Sequence, residues 1–115
     1  MKLVTFENAA RRRRVGAATP NGSVVDLNLA YAMYLREEGE SAYVRMAGAR
    51  VPPEMRQLFE GGDRSLDAAK QALQFATAAG AELAGPAGET ITYERSAVKL
   101  RAPIFSAAIA ARMLV

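Results

Sequence analysis

The sequence predicts an α+β fold: a small antiparallel β-sheet, formed by an N-terminal three-stranded meander plus C-terminal closing strands, packed against three to four helices. Three observations carry that expectation. Short runs containing Val, Thr and Phe alternate with turn residues as far as Leu27. Apolar residues then recur at helical spacing to about Ala79. Between Thr90 and Ala102 the β-type runs return.

Lys2 to Glu7 (KLVTFE) is the first strand, with Leu3 and Thr5 on one side and Val4 and Phe6 on the other. Asn8-Ala9-Ala10 connects it to an antiparallel second strand, Arg11 to Ala18. Thr19-Pro20-Asn21-Gly22 is turn chemistry: Pro fixes φ, and Asn-Gly tolerates the positive φ of a type I′ turn. Ser23 to Leu27 is the third strand. Asp26 or Asn28 caps the helix that follows, in which Ala30, Tyr31, Tyr34 and Leu35 recur at helical spacing. Gly39 stands just past its polar end. Ser41 to Ala49 is a second short helix carrying Tyr43, Val44 and Met46. Pro52-Pro53 breaks the chain and opens a third, with Met55, Leu58 and Phe59 as its apolar face. Gly61-Gly62 stops it. Asp63 or Ser65 caps the longest helix, which buries Leu66, Ala69, Leu73 and Ala76 and keeps Asp67, Lys70, Gln71 and Gln74 in water. Gly80 terminates it, and Ala81 to Glu89 is a loop of small residues. Thr90 to Tyr93 and Ala97 to Ala102 are the closing strands, with Val98 and Leu100 on one face.

Composition narrows the chemistry. The 115 residues suit one domain, and half of them are hydrophobic, more than a disordered chain carries. The absence of Cys excludes disulfides, thiolate metal sites and a Cys nucleophile, and fits the reducing cytoplasm. The absence of His removes the commonest general base and metal ligand. The opening MKLVTFENAA lacks the apolar core of a secretory signal. The longest apolar stretch, Ile104 to Val115, contains Arg112 and falls short of the ~20 residues of a membrane span, so no membrane partner is expected.

The net charge of +3 is mild, and Lys and Arg mostly alternate with Asp and Glu. The exception is the run Arg11, Arg12, Arg13 and Arg14, a candidate anion-binding segment. On a strand, Arg11 and Arg13 would point opposite to Arg12 and Arg14 and divide the charge between two faces. A charged strand guarded against edge pairing is the blander reading and the preferred one. No aromatic residue stands beside the run to stack bases, which disfavours nucleic acid. Glu38-Gly39-Glu40 has an E-x-E spacing used by some magnesium sites, but it sits at a helix end on a solvated loop. Gly61-Gly62-Asp63 lacks the Lys-Ser/Thr of a phosphate-binding loop and reads as a turn and cap. Tyr31, Tyr34, Tyr43 and Tyr93 read as core-edge residues. No Ser–His–Asp or Cys–His set can be assembled, and the spacing of the serines points to no Ser–Lys site. Accordingly no catalytic, cofactor-binding or metal-binding residue is expected in this chain.

Five stretches, in their order and spacing, resemble the N-terminal domain of the fumarylacetoacetate hydrolase family. They are KLVTFE from Lys2, RRRRVGAATPNGSVVDLNLAY ending at Tyr31, VPPEMRQLFEGG ending at Gly62, DAAKQALQFA ending at Ala76, and ITYERSAVKLRAPI ending at Ile104. The resemblance covers residues 1–104. It implies metal-dependent hydrolysis of carbon–carbon bonds in diketo acids, or isomerisation, hydration or decarboxylation of related oxo acids, as in aromatic compound catabolism. It implies Mg²⁺ or Mn²⁺ held by carboxylates of a larger C-terminal catalytic domain. No ligand or catalytic residue carries over to this chain, and Glu38 and Glu40 lie in the wrong domain. After Ala102-Pro103-Ile104 the family continues into a strand that opens the catalytic domain, whereas this chain reads FSAAIAARMLV. Residues 105–115 are therefore expected to be a divergent or truncated tail.

The leading expectation is a non-catalytic domain that packs on a catalytic domain, in cis or in trans, with self-association as a homodimer when alone. The alternative is a stand-alone protein- or anion-binding module using Arg11–Arg14. A third reading, hydrolysis by the chain itself, needs a carboxylate-only or metal-only site that the residues do not reveal.

Overall fold

The structure, a computed structural model, describes the backbone of residues 1–106 and the side chains of residues 1–101. It contains strands β1 (Lys2–Glu7), β2 (Arg13–Ala18) and β3 (Ser23–Asp26). Helices α1 (Leu27–Glu37), α2 (Tyr43–Arg50), α3 (Met55–Glu60) and α4 (Gly62–Ala79) follow. β4 (Thr92–Glu94), a 3₁₀ turn (Arg95–Ala97) and β5 (Lys99–Ser106) complete the described chain. This is the expected α+β fold. The tail expected at 105–115 begins inside β5 and, from residue 107 onward, lies outside the described residues.

The five strands form one antiparallel sheet in the order β4-β3-β2-β1-β5. β4 and β5 are consecutive in the chain yet occupy opposite edges. Only the 3₁₀ turn and Val98 separate them, so the sheet must curl until its edges approach. The curl makes two cores. On the helical face Leu3, Val15, Ala17 and Val25 pack against Ala30 and Tyr31 of α1 and Leu66, Ala69 and Ala72 of α4. On the concave face Val4, Phe6 and Val24 are fully buried beneath Tyr93, Val98 and Leu100. The Phe6 and Tyr93 rings lie 5.5 Å apart. Val98 and Leu100 thus share a face, as their spacing implied.

Several boundaries differ from the sequence expectation, each for a local reason. The second strand starts at Arg13, because the Asn8 side chain takes over the two preceding residues. Its Oδ1 accepts hydrogen bonds from the backbone N–H groups of Ala10 and Arg12, while Arg11 N–H donates to the Asn8 carbonyl. The Thr19–Gly22 turn is a three-residue hairpin loop in which Gly22 alone is left-handed (φ 85°), so the type I′ expectation is corrected. Thr19 N–H donates to Ser23 O and closes it. Asp26 is the cap of α1, its carboxylate accepting from Leu29 N–H at 3.2 Å. α3 is capped by Glu54, whose carboxylate accepts from Gln57 N–H at 2.9 Å.

Neither Asp63 nor Ser65 caps α4. Gly61 ends α3 and starts α4 in one residue, leaving Ser65 buried in the first turn. Asp67, Lys70, Gln71 and Gln74 are exposed as expected, and Gly80 ends the helix at φ 87°. The last strand runs from Lys99 to Ser106 rather than from Ala97 to Ala102, since Ala97 belongs to the 3₁₀ turn. Its register against β1 shifts between Val4 and Thr5, placing Ala102 and Pro103 at a bulge where Pro costs no ladder bond.

Pro52-Pro53 does more than break the chain. Val15 N–H of β2 donates to Pro53 O at 2.9 Å, and the Asn28 side-chain amide donates to Val51 O at 2.9 Å. The segment before α3 thereby occupies the flank of β2 that short β3 leaves open.

Candidate functional site

The four arginines part company in the fold. Arg14, opposite Phe6 in the register, points to the concave face, where Asp26 lies. Its Nε donates to Asp26 Oδ2 at 2.5 Å and its terminal nitrogen to Asp26 Oδ1 at 3.3 Å and Asn28 Oδ1 at 2.9 Å. Asp26 is 1% exposed and Arg14 18%. Burial pushes the Asp26 carboxyl upward, and Arg14 and the α1 amides oppose that shift. This pair joins β2 to the start of α1 and is committed to the fold, which removes Arg14 from the anion-binding set.

Arg11, Arg12 and Arg13 are exposed at the β1–β2 turn. Arg11 alone among the non-glycine described residues has a positive φ, at 59°. The register adds cations that local sequence does not suggest. Glu7 of β1 stands opposite Arg13 on one side and Lys99 on the other, so all three share a face. Arg101 donates to Glu7 Oε2 from two nitrogens, at 2.7 and 3.1 Å. The guanidinium of Arg101 holds the Glu7 carboxyl below its ordinary range, with Lys99 and Arg13 adding to the field. Three cations, Arg13, Lys99 and Arg101, therefore face one carboxylate that is already paired. A hollow of about 280 Å³ opens here, lined by Glu7, Asn8, Arg11, Ser96 and Lys99 among others.

A wider groove of about 940 Å³ lies at the other end of the sheet, between the β2–β3 turn and the end of α4. Val25, Leu73 and Ala76 give it an apolar floor, and Lys2 and Arg95 stand at its rim. Lys2 is the β1 residue opposite Ser106 of β5.

The remaining sequence candidates resolve into structure. Glu38 closes α1 and Gly39 and Glu40 turn the chain away from it. Tyr31 and Tyr34 stack at 5.7 Å, and Gln71 donates to the Tyr34 hydroxyl at 2.6 Å, tying α1 to α4. Among the described residues no three Asp, Glu, His or Cys side chains come together as a metal-holding group. No described helix is long and apolar enough to cross a membrane.

These features define an α+β domain whose recognisable surfaces are a basic turn and an open groove at opposite ends of a curled sheet. The chain matches no protein-family model, and no curated protein matches it.

Proposed function

We propose that the chain is a non-catalytic N-terminal domain of the fumarylacetoacetate hydrolase type. Its role is to pack on a cytoplasmic catalytic domain, supplied in cis or in trans, which carries the carboxylates and the Mg²⁺ or Mn²⁺. One observation supports this reading above the others. Ala102-Pro103-Ile104, where the family's chain passes towards its catalytic domain, lies within an edge strand that pairs with β1 on one side only among the described residues. An edge strand is the natural place for a chain to leave one domain for another, since its outer side still has backbone groups to pair. The five resembling stretches also coincide with β1, the β2–β3 hairpin running into α1, α3, α4 and the β4–β5 segment.

The test is the size and activity of the native species. Antibody raised against the chain should detect a protein well above 12.3 kDa, or a complex with a larger chain, that hydrolyses an acylpyruvate with Mg²⁺ or Mn²⁺. The purified chain alone should not turn that substrate over. A native 12.3 kDa species that captures no larger chain would overturn the proposal, as would turnover by the isolated chain.

A further inference from the structure

We infer that the hollow at the β1–β2 turn is a binding site for a phosphate monoester, held by Arg11 and Lys99, with Arg13 opposite Glu7 adding to the local positive charge. The inference is independent of the domain role proposed above. It rests on the hollow, the sheet register and the local charge.

Size comes first. Ligand pockets for whole small molecules run from about 300 to 1,000 Å³. At about 280 Å³ this hollow takes one compact group, and the rest of the ligand stays outside. Charge comes second. The single carboxylate in the lining, Glu7, is ion-paired with Arg101, which donates two hydrogen bonds to its Oε2. Arg11, Arg12, Arg13 and Lys99 have no ion-pair partner among the described residues. The site therefore carries a net positive charge, where Arg supplies a planar fork and Lys a point charge to separate oxygens of one tetrahedral anion. Ser96 adds a hydroxyl donor.

The register makes this convergence a property of the fold. Lys99 is held beside Glu7 by the β1–β5 ladder, and Arg13 by the β1–β2 ladder. Arg11 sits on the turn whose backbone the Asn8 side chain fixes. No residue lining the hollow is aromatic, so the hollow itself offers no platform to stack bases. That favours a single phosphoryl group over a nucleic-acid strand.

The experiment is an amide chemical-shift titration with inorganic phosphate and with phenyl phosphate, on the wild-type chain and on three variants. Arg11→Asn removes one charge while keeping a residue that tolerates positive φ. Lys99→Ser removes the second. Lys70→Ser, on the exposed face of α4, is the control. Saturable shifts confined to residues 8–13 and 96–99 are expected, with affinity about 10-fold or more weaker in the first two variants and unchanged in the control. Circular dichroism checks that each variant folds, and each single substitution tests the site without the other. Shifts spread over the surface, or equal weakening by Lys70→Ser, would overturn the site. Tighter binding of a DNA duplex than of either phosphate at the same amides would replace it with a phosphodiester surface and overturn the monoester assignment.

Discussion

Replacing Arg14 by Leu should unfold the protein more readily than any other single arginine change. The Asp26 carboxylate is 1% exposed, and Arg14 supplies two of its hydrogen bonds. In Arg14→Leu the carboxylate keeps α1 amide donors, Leu29 N–H at 3.2 Å among them, and loses its counter-charge. Breaking a buried pair from one side costs about 3–5 kcal/mol, because a buried charge is left uncompensated. Against a total stability of about 5–15 kcal/mol, that lowers the melting temperature by on the order of 15 °C. Asp26→Asn should cost much less, about 1–2 kcal/mol, since the amide oxygen still caps α1 and Arg14, 18% exposed, can reach water. The double variant should then be more stable than the sum of the two losses predicts. Acidity gives an independent check. Burial raises the folded-state pKa of Asp26 above 3.8, so the folded state binds the proton more tightly than the unfolded chain. The penalty on its charged form is absent below pH 3.8 and complete once pH exceeds the folded value. Without Arg14 that penalty grows, so the gap between wild type and Arg14→Leu should narrow as pH falls. Urea unfolding followed by circular dichroism at pH 7 and pH 4 measures both quantities. A loss under about 0.5 kcal/mol, typical of surface positions, would refute the reasoning, and so would a gap that is independent of pH.

Three further outcomes follow from the packing. Gly16→Ala should destabilise by about 1–3 kcal/mol in urea unfolding, because its Cβ would lie 2.9 Å from Val24 Cγ1, 2.9 Å from Val25 O and 3.0 Å from Phe6 Cδ1. Gly48→Ala, in the exposed interior of α2 with no atom near the new methyl, should stabilise by roughly 0.5–1 kcal/mol, and unchanged stability would count against the α2 assignment. Glu7→Gln should flatten the acid side of the stability profile: Arg101 depresses the folded pKa, so the wild-type contribution is present above pH 4.5 and is lost as pH falls through the folded value. Equal acid profiles for the two proteins would show that the Glu7–Arg101 pair contributes nothing.

What was legible in the sequence was whatever local chemistry decides. KLVTFE forms β1 with the expected residues, and the apolar stripe of α4 buries Leu66, Ala69 and Ala76. Gly80 stops α4 where its left-handed φ becomes necessary. The errors arose where one residue serves two elements or where a distant partner decides. Gly61 both ends α3 and begins α4, so no Asp or Ser cap was required. Arg11 and Arg12 read as strand because charge carries no information about the Asn8 side chain bonding to their turn. The fate of Arg14 depends on Asp26, brought alongside by the β2–β3 ladder at Gly16. The approach of Lys99 to Arg13 depends on β1 lying between two strands separated by most of the chain. Periodicity reports which face a residue takes on its own element, and register across non-local strands is invisible to it.

β5 also explains why the two surfaces can act separately. Its Lys99 end lies beside Glu7 and the basic turn, and its Ser106 end lies beside Lys2 and the open groove. Eight residues of strand span about 25 Å. At physiological ionic strength the field of an exposed charge is screened within about 8 Å, so Arg11 and Lys99 exert little force at the Lys2 end of β1, although the groove rim and the hollow adjoin at Arg95 and Ser96. If the proposed catalytic domain packs at the Ser106 end of β5, Arg11 and Lys99 stand at the opposite end of that strand's pairing with β1. Neutralising Arg11 and Lys99 together should therefore abolish phosphate binding without loosening any complex with a catalytic domain. If both were lost together in a folded variant, one continuous surface would have to serve both partners, and the division of the sheet into two independent ends would be wrong.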